Sequence, residues 1–336
     1  MVSESILSEQ SFSGAGKTVS VIVRFHDRGK IAFLDHALFS LATQHYPHVQ
    51  VIVAVQNGDD QLLKIIGTII EKQPFLVDRT ISRVTEVANN QTSSANDLPS
   101  HVVLSVNVPE GVDGRSVLLN EGLKAAEGRY LAFLDYDDVV YPHAYVVLIG
   151  RLNESKKAVA VGGSLIAHLK HVGPGEPYLI ESKTRRIIGD RPLLQIFAKD
   201  VIPINTFVVD ANRIERGHLV FDTNVTCYED YLFLLRLAAK YPFDFETLPQ
   251  PIAEYRQRDD GTNTIMVGPH CPLKERKWQD SGRYVDKVKE ELEVTANAAE
   301  ITSLVLERDK LEDERNRLTR ERDELAARLH DLTRPQ

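Results

Sequence analysis

Several absences narrow the reading of this 336-residue chain before any motif is considered. Cysteine is nearly missing: Cys227 and Cys271 lie far apart and form no C-x-x-C pair. That excludes a disulfide framework and a zinc ribbon, and makes a reducing cytosolic setting the expectation. No apolar run approaches the ~18–20 residues of a membrane-crossing helix. Residues 1–18, rich in Ser and Gly, lack the lysine-then-apolar order of a secretion signal and read as a mobile tail. The eleven histidines show no H-x-H or H-E-x-x-H spacing, and no G-x-G-x-x-G follows the first apolar run. Gly14-Ala15-Gly16-Lys17-Thr18 imitates the end of a phosphate-binding loop, but it precedes its strand instead of following one. A formal net charge of -8 argues against whole-chain binding to nucleic acid or anionic lipid, leaving at most a peripheral membrane contact. Residues 285–334 contain no Gly, no Pro and no aromatic, so the chain ends in a different material from its middle.

In the middle, strands and helices alternate. Val19–Phe25 and Val49–Val55 are β-branched apolar runs, the mark of strands buried on both faces. Helical spacing follows each, over Ile31–Gln44 and Leu62–Gln73. Val102–Val106 and Tyr130–Leu134 predict two more strands, with a helix over Ser116–Ala126 between them and a polar, structureless stretch over Thr85–Ser100. Further strands are expected at Ala158–Ile166 and Pro203–Asp210. Such alternation implies an α/β fold with a mostly parallel sheet flanked by helices, whose ligands bind at the carboxyl ends of the strands.

At that edge, Asp135-Tyr136-Asp137-Asp138 directly follows the fourth strand. Three crowded carboxylates repel one another, and a divalent cation relieves the repulsion while keeping positions for phosphate oxygens. The block from Gly114-Arg115-Ser116 through Asn120-Glu121-Gly122-Leu123 and Ala126-Glu127-Gly128-Arg129-Tyr130 to Asp138 resembles the core of family 2 glycosyltransferases with the GT-A fold. The resemblance spans about residues 19–265. It implies a Rossmann-like sheet, a nucleotide-sugar donor, and Mn2+ or Mg2+ as cofactor. Asp135 would lie near the nucleoside, Asp137 would bind the metal with Asp135 beside it, and Arg115 would approach the base or phosphates. Asn120 and Gly122 are expected to serve packing. Arg24, in the basic stretch Arg24-Phe25-His26-Asp27-Arg28-Gly29-Lys30, joins the nucleotide-sugar-binding candidates.

The chain departs from the family pattern twice. Where relatives often carry an aspartate pair that reads the base, it has Gln56-Asn57, amides able to bond a base edge without fixing its identity. UDP-, GDP- and dTDP-linked donors all remain open. In Tyr255-Arg256-Gln257-Arg258, Arg258 stands where the family often has a histidine; it can clamp a phosphate but accepts no proton. His270 is an additional candidate ligand.

About ninety residues past the first acidic cluster, Glu229-Asp230 opens the apolar helical pattern Tyr231–Ala238. Alone the pair reads as helix capping. The E-D-x-x-[LF]-x-x-R pattern resembles the family's second signature, which makes Asp230 the base for the acceptor hydroxyl and puts Glu229 on the acceptor side. The implied reaction is an inverting transfer to a glycan or lipid-linked acceptor, with bacterial surface polysaccharide assembly as the setting, in the cytoplasm or at the inner membrane face. A sugar-phosphate nucleotidyltransferase and a non-catalytic relative with a scaffolding role are the alternatives.

Leu304, Leu311, Leu318, Leu325 and Leu332 recur every seven residues. With these at position d, Arg308, Arg315 and Arg322 fall at a and Glu307, Glu314 and Glu321 at g, which predicts a coiled coil. The expected organisation is a tail (1–18), a GT-A domain (19–283, divided into a nucleotide-sugar half 19–138 and an acceptor half 139–283), and a helical coiled coil (284–336). Residues 284–334 would bind a second copy or a coiled-coil partner.

Overall fold

The computed structural model describes residues 16–73, 82–85, 101–173, 178–263, 271–295 and 298–332. Residues 1–15, most of the 85–100 stretch and His270 lie outside them. The chain divides into two compact units, 1–292 and 293–336.

The first unit is built on one sheet. Its parallel half contains β1 (Val19–Phe25), β2 (Val49–Gln56), β3 (Ser82–Thr85), β4 (His101–Val106) and β5 (Tyr130–Asp135). In space the order is β3-β4-β2-β1-β5, all pairs parallel. Every residue of β1 is buried, as its unbroken apolar run requires of a strand covered on both faces. On one face Val21, Val23 and Val53 pack with Leu34 and Leu38 of α1 (Ile31–Ala42) and Ile66 of α2 (Asp60–Glu71). On the other, Ile22, Ile52 and Phe133 pack with Leu118 and Leu119 of α3 (Arg115–Ala125). Apart from β3, which no apolar pattern announced, these elements fall where the apolar periodicity put them, to within a few residues.

The second half is less regular. After a two-residue strand β6 (Val139–Val140) and α4 (Ala144–Ser155), the long β7 (Val159–Lys170) pairs with β8 (Leu179–Arg185), and α5 (Pro192–Ala198) leads into β9 (Phe207–Asp210). β9 joins the two halves, antiparallel to both β5 and β7. Pro203–Asp210 is therefore not one strand: residues 204–206 form a 3-10 turn, because Pro203 opens a tight turn closed by Thr206 N–H on its carbonyl. α6 (Glu229–Lys240) and β10 (Phe243–Arg258) follow, with β10 parallel to β7 and antiparallel to β6.

α7 (Pro272–Glu291) crosses the division expected at 283/284. It stays with the sheet because Val285 is buried, and Tyr284, Val288 and Leu292 pack against the same apolar cluster as Phe221 and Phe233. Among its described residues the second unit has one helix, α8 (Ala298–Leu332). Among the described residues no helix is long and apolar enough to cross a membrane.

α3 meets β1 at Gly122, where an added Cβ would stand 2.3 Å from Ile22 Cγ2. Gly122→Ala is expected to lower the stability of the domain by about 1–3 kcal/mol through overpacking. Urea denaturation read by circular dichroism checks it, and an unchanged midpoint would contradict the close approach.

Candidate active site

The carboxyl ends of β1 and β5 set the site. In their parallel register Arg24 stands beside Asp135. The Arg24 guanidinium takes both Asp135 oxygens, with Nη2 donating to Oδ2 at 2.8 Å and Nε to Oδ1. Its remaining nitrogen, Nη1, donates to Glu229 at the first turn of α6. One arginine thus ties together two acidic signatures separated by 94 residues. Its side chain is only 9% exposed and that of Glu229 only 4%. Burial works against the Glu229 carboxylate, but Arg24 and Arg115 outweigh it and hold its pKa below the usual value.

Beyond Asp135 the chain turns, with Asp138 N–H donating to the Asp135 carbonyl. Asp137 accepts from Arg258 Nη1 at 2.5 Å through Oδ2. Arg258 is held in turn by Thr262, its Nε donating to Oγ1 at 2.8 Å. Asp138 points elsewhere. It is 1% exposed and accepts from the Arg256 main-chain N–H at 2.8 Å and from Asn205 Nδ2 at 3.2 Å. Burial, with repulsion from Asp137 and Asp135, pushes its pKa well up. Its part is to fasten β10 and the 3-10 turn beneath the acidic loop.

The loop before α6 is fixed from two sides. Asn120 of α3 exchanges a pair of 2.8 Å hydrogen bonds with the Phe221 main chain, and Ser116 Oγ donates to the Asp222 carbonyl. From α7, Ser281 Oγ accepts from Thr226 N–H at 3.3 Å and Cys227 N–H at 3.1 Å. Tyr228 then adopts a left-handed conformation at φ 66°, with its ring edge-on to Trp278 at 4.5 Å. A non-glycine residue in that region is strained, and here the strain delivers Glu229 and Asp230 to the cavity. Burial, then repulsion from Asp200 and Glu229, raises the Asp230 pKa well above the ordinary carboxylate value. Asp200 is itself pushed up to about 6, chiefly by burial.

These groups line a cavity of about 510 Å³ whose wall includes Arg24, Arg115, Asp135, Asp137, Glu229, Asp230 and Arg258. A second cavity of about 470 Å³ shares His26, Arg115, Cys227 and Trp278 with it and reaches Gln56 at the end of β2. Each has the size of a small-molecule site. Gly114 makes room for the Gln56 side chain, since a Cβ there would come 2.5 Å from Gln56 Oε1. Asn57 is used differently: at φ 49°, its amide donates to the Val108 carbonyl at 3.0 Å and accepts from Val108 N–H at 2.8 Å. That pairing closes the turn after β2 and leaves Gln56 as the amide on the cavity wall. Arg115, bonded through Nε and Nη2 to Asp113 at 2.9 Å, borders both cavities.

Sequence reasoning missed several wall residues. His26 borders both cavities, and burial with the nearby Arg24 charge lowers its pKa, favouring the neutral ring. Arg186, Asp200 and Trp278 carry no local pattern; only the meeting of β8, the α5–β9 connection and α7 reveals them.

A divalent cation fits the donor set at one point. Among the described residues no group of three or more His, Cys, Asp or Glu side chains can hold a metal. Arg258 engages only Oδ2 of Asp137, which suits a hard cation completed by ligand oxygens and water. Asp135 has both oxygens on Arg24 and would have to release it to join.

Residues 101–194, which carry Arg115, Asp135 and Asp137, match the family model described as Glycosyl transferase family 2. No curated protein matches the chain. Among solved structures, S. aureus TarS 1–349 is similar at a TM-score of 0.46, with 19% identity over 71% of this chain and 60% of that one. The same protein in complex with UDP-GlcNAc gives 0.47, with 15% identity over 80% of this chain and 71% of that one. Mannosyltransferase PcManGT from Pyrobaculum calidifontis, in complex with GDP-Man and Mn2+, gives 0.45, with 12% identity over 72% and 57%. The chain therefore spans about 60% of the first of these structures.

Removing Arg24 would leave Asp135 and Glu229 without their shared counter-charge. Arg24→Met is expected to cost about 3–5 kcal/mol of folding stability, as for a broken buried pair. Denaturant unfolding measures this; a loss under about 1 kcal/mol, typical of an exposed pair, would contradict the bridge.

Proposed function

We propose, from the match of residues 101–194 to the family model described as Glycosyl transferase family 2, that the chain transfers a sugar from a nucleotide-sugar to an acceptor hydroxyl with inversion. One observation carries the reading: the acidic turn after β5 and the acidic pair opening α6 line one cavity, joined through Arg24. The donor diphosphate would lie against Asp137 and Arg258, with Arg115 near the nucleoside and Gln56 at the base edge. Mn2+ or Mg2+ bound at Asp137 with the diphosphate would supply positive charge where the leaving group gains negative charge.

Asp230 would serve as base. As the acceptor oxygen forms its bond to the anomeric carbon, the acceptor proton passes to the Asp230 carboxylate and the bond from that carbon to the diphosphate oxygen breaks. A single in-line displacement of this kind inverts the centre. Glu229, held ionised by two arginines, would keep Arg24 in place and repel the Asp230 charge, which raises that group's affinity for the proton. The acceptor would be a glycan or lipid-linked hydroxyl in bacterial surface polysaccharide assembly, with the enzyme in the cytoplasm or at the inner membrane face. The α8 helix would join chains into an oligomer or recruit a coiled-coil partner.

Incubation with a panel of UDP-, GDP- and dTDP-sugars and Mn2+, followed by measurement of nucleoside diphosphate release, tests the reaction. Asp137→Ala and Asp230→Asn are each expected to reduce release at least 100-fold, the scale of a lost general base or metal ligand, while circular dichroism stays unchanged. Near-wild-type turnover in both would remove the mechanism, and pyrophosphate release in place of nucleoside diphosphate would favour nucleotidyl transfer.

The pH profile gives a separate check. A carboxyl whose pKa is raised is ionised, and able to act as a base, only above that raised value. Transfer should therefore fall off on the acid side at a pH above the ordinary carboxylate range of about 4. An acidic limb at or below that range would contradict Asp230 as the base in this environment.

A further inference from the structure

The helix α8 carries a stripe of exposed apolar side chains. Leu304, Leu311, Leu318 and Leu325 are 38%, 61%, 53% and 64% exposed, and Ile301 is 51% exposed. The leucines recur every seven residues, with Ile301 three residues before the first, the spacing of a coiled-coil seam. The arginines between them are held only loosely: Arg308 contacts Asp309, Arg315 contacts Glu312 at 3.1 Å, and Arg322 contacts Asp323, with arginine exposures of 69%, 70% and 73%. Exposed pairs of this kind contribute little and are readily exchanged for better ones.

We infer that the occupant of this stripe is a second copy of the same helix, running parallel and in register as a two-stranded coiled coil. Charge decides the direction. In a parallel pair each leucine faces its own copy, and each arginine layer at 308, 315 and 322 is flanked by the second copy's glutamates at 307, 314 and 321. Two arginines and two glutamates meet in each such layer, so the layer is neutral in sum.

Antiparallel pairing sets leucine against arginine in the layers that contain Arg308, Arg315 and Arg322. It also brings the glutamate rows face to face, which is repulsive. Like-charged contacts remain in the parallel arrangement: each arginine at 308, 315 and 322 faces its own counterpart, offset by the flanking glutamates, and Glu307 meets the second copy's Glu312, against which Arg315 already sits.

Charge also decides the number of strands. In a two-stranded coil the long arginine side chains reach out of the seam to solvent, whereas the wider core of three or four strands would enclose guanidinium groups at a large desolvation cost. The inference is independent of the glycosyltransferase reading, since it uses only residues of α8.

Sedimentation equilibrium of the full chain tests it. Wild type is expected at twice the chain mass; a monomer, a trimer or a tetramer would overturn the proposal. The double variant Leu311→Asp/Leu318→Asp should sediment as a monomer with the domain still folded by near-ultraviolet circular dichroism, and a persistent dimer would move the interface elsewhere. The triple variant Glu307→Lys/Glu314→Lys/Glu321→Lys should also become monomeric, and adding Arg308→Glu/Arg315→Glu/Arg322→Glu should restore the dimer; failure of that rescue would contradict the layer pairing. For direction, Leu304→Cys should form a disulfide-linked dimer under mild oxidation, with wild type as control for Cys227 and Cys271. In a fully overlapped antiparallel pair the two positions would lie tens of ångströms apart at about 1.5 Å per residue, so absence of the crosslink in a dimeric variant would overturn the parallel orientation.

Discussion

The site depends on one buried guanidinium. Arg24 projects from the end of β1 and holds Asp135 with two nitrogens and Glu229 with the third. Without it, two carboxylates would face one another in a region that excludes most water, and their repulsion would drive β5 and α6 apart or force protons onto them. With it, the ends of two elements that are remote in sequence are fixed against one cavity. The strained Tyr228, the Ser281 clamp from α7 and the Asn120 clamp from α3 all act on the same loop, and each adds to what Arg24 requires.

Carboxylates near this centre are sorted by their surroundings. Glu229 is kept ionised by arginines, while Asp230 and Asp138 are pushed toward holding protons by burial and by neighbouring acids. Adjacent acids with opposite tendencies are a device by which one site holds a fixed charge and a movable proton side by side. Asp137 stands apart, tied through one oxygen to Arg258 and lining the cavity.

The parallel half of the fold was legible because its physics is local. A strand buried on both faces must be apolar throughout, so Val19–Phe25 and Val49–Gln56 announce themselves, and Gly128 marks the turn into Tyr130–Asp135. The acidic turn and the Glu229-Asp230 pair were visible as charge beside apolar runs. The second half was harder. β8 is exposed along its whole length and so lacks a burial pattern, and β10 reaches its partner β7 through register shifts around Pro249 and Pro251 that interrupt any period of two. α7 was hidden by composition: its apolar contacts are few and spread among charges, and it belongs to the sheet because of Val285 and its neighbours.

At the site, motif reasoning found the groups that sit next to each other in sequence and missed those supplied singly. Arg24 was visible only as one cation in a basic stretch; its bond to Glu229 spans 205 residues and leaves no local trace. Asn57 reads as a base-edge amide in sequence, yet its hydrogen bonds are spent on Val108. A crystal structure of the chain with UDP or GDP and Mn2+ tests the central claim most directly. The account predicts the diphosphate against Asp137 and Arg258, with Arg24 still bridging Asp135 and Glu229 and Asp230 facing the sugar side. Nucleotide bound away from this cavity, or a bridge that is absent in the complex, would contradict it.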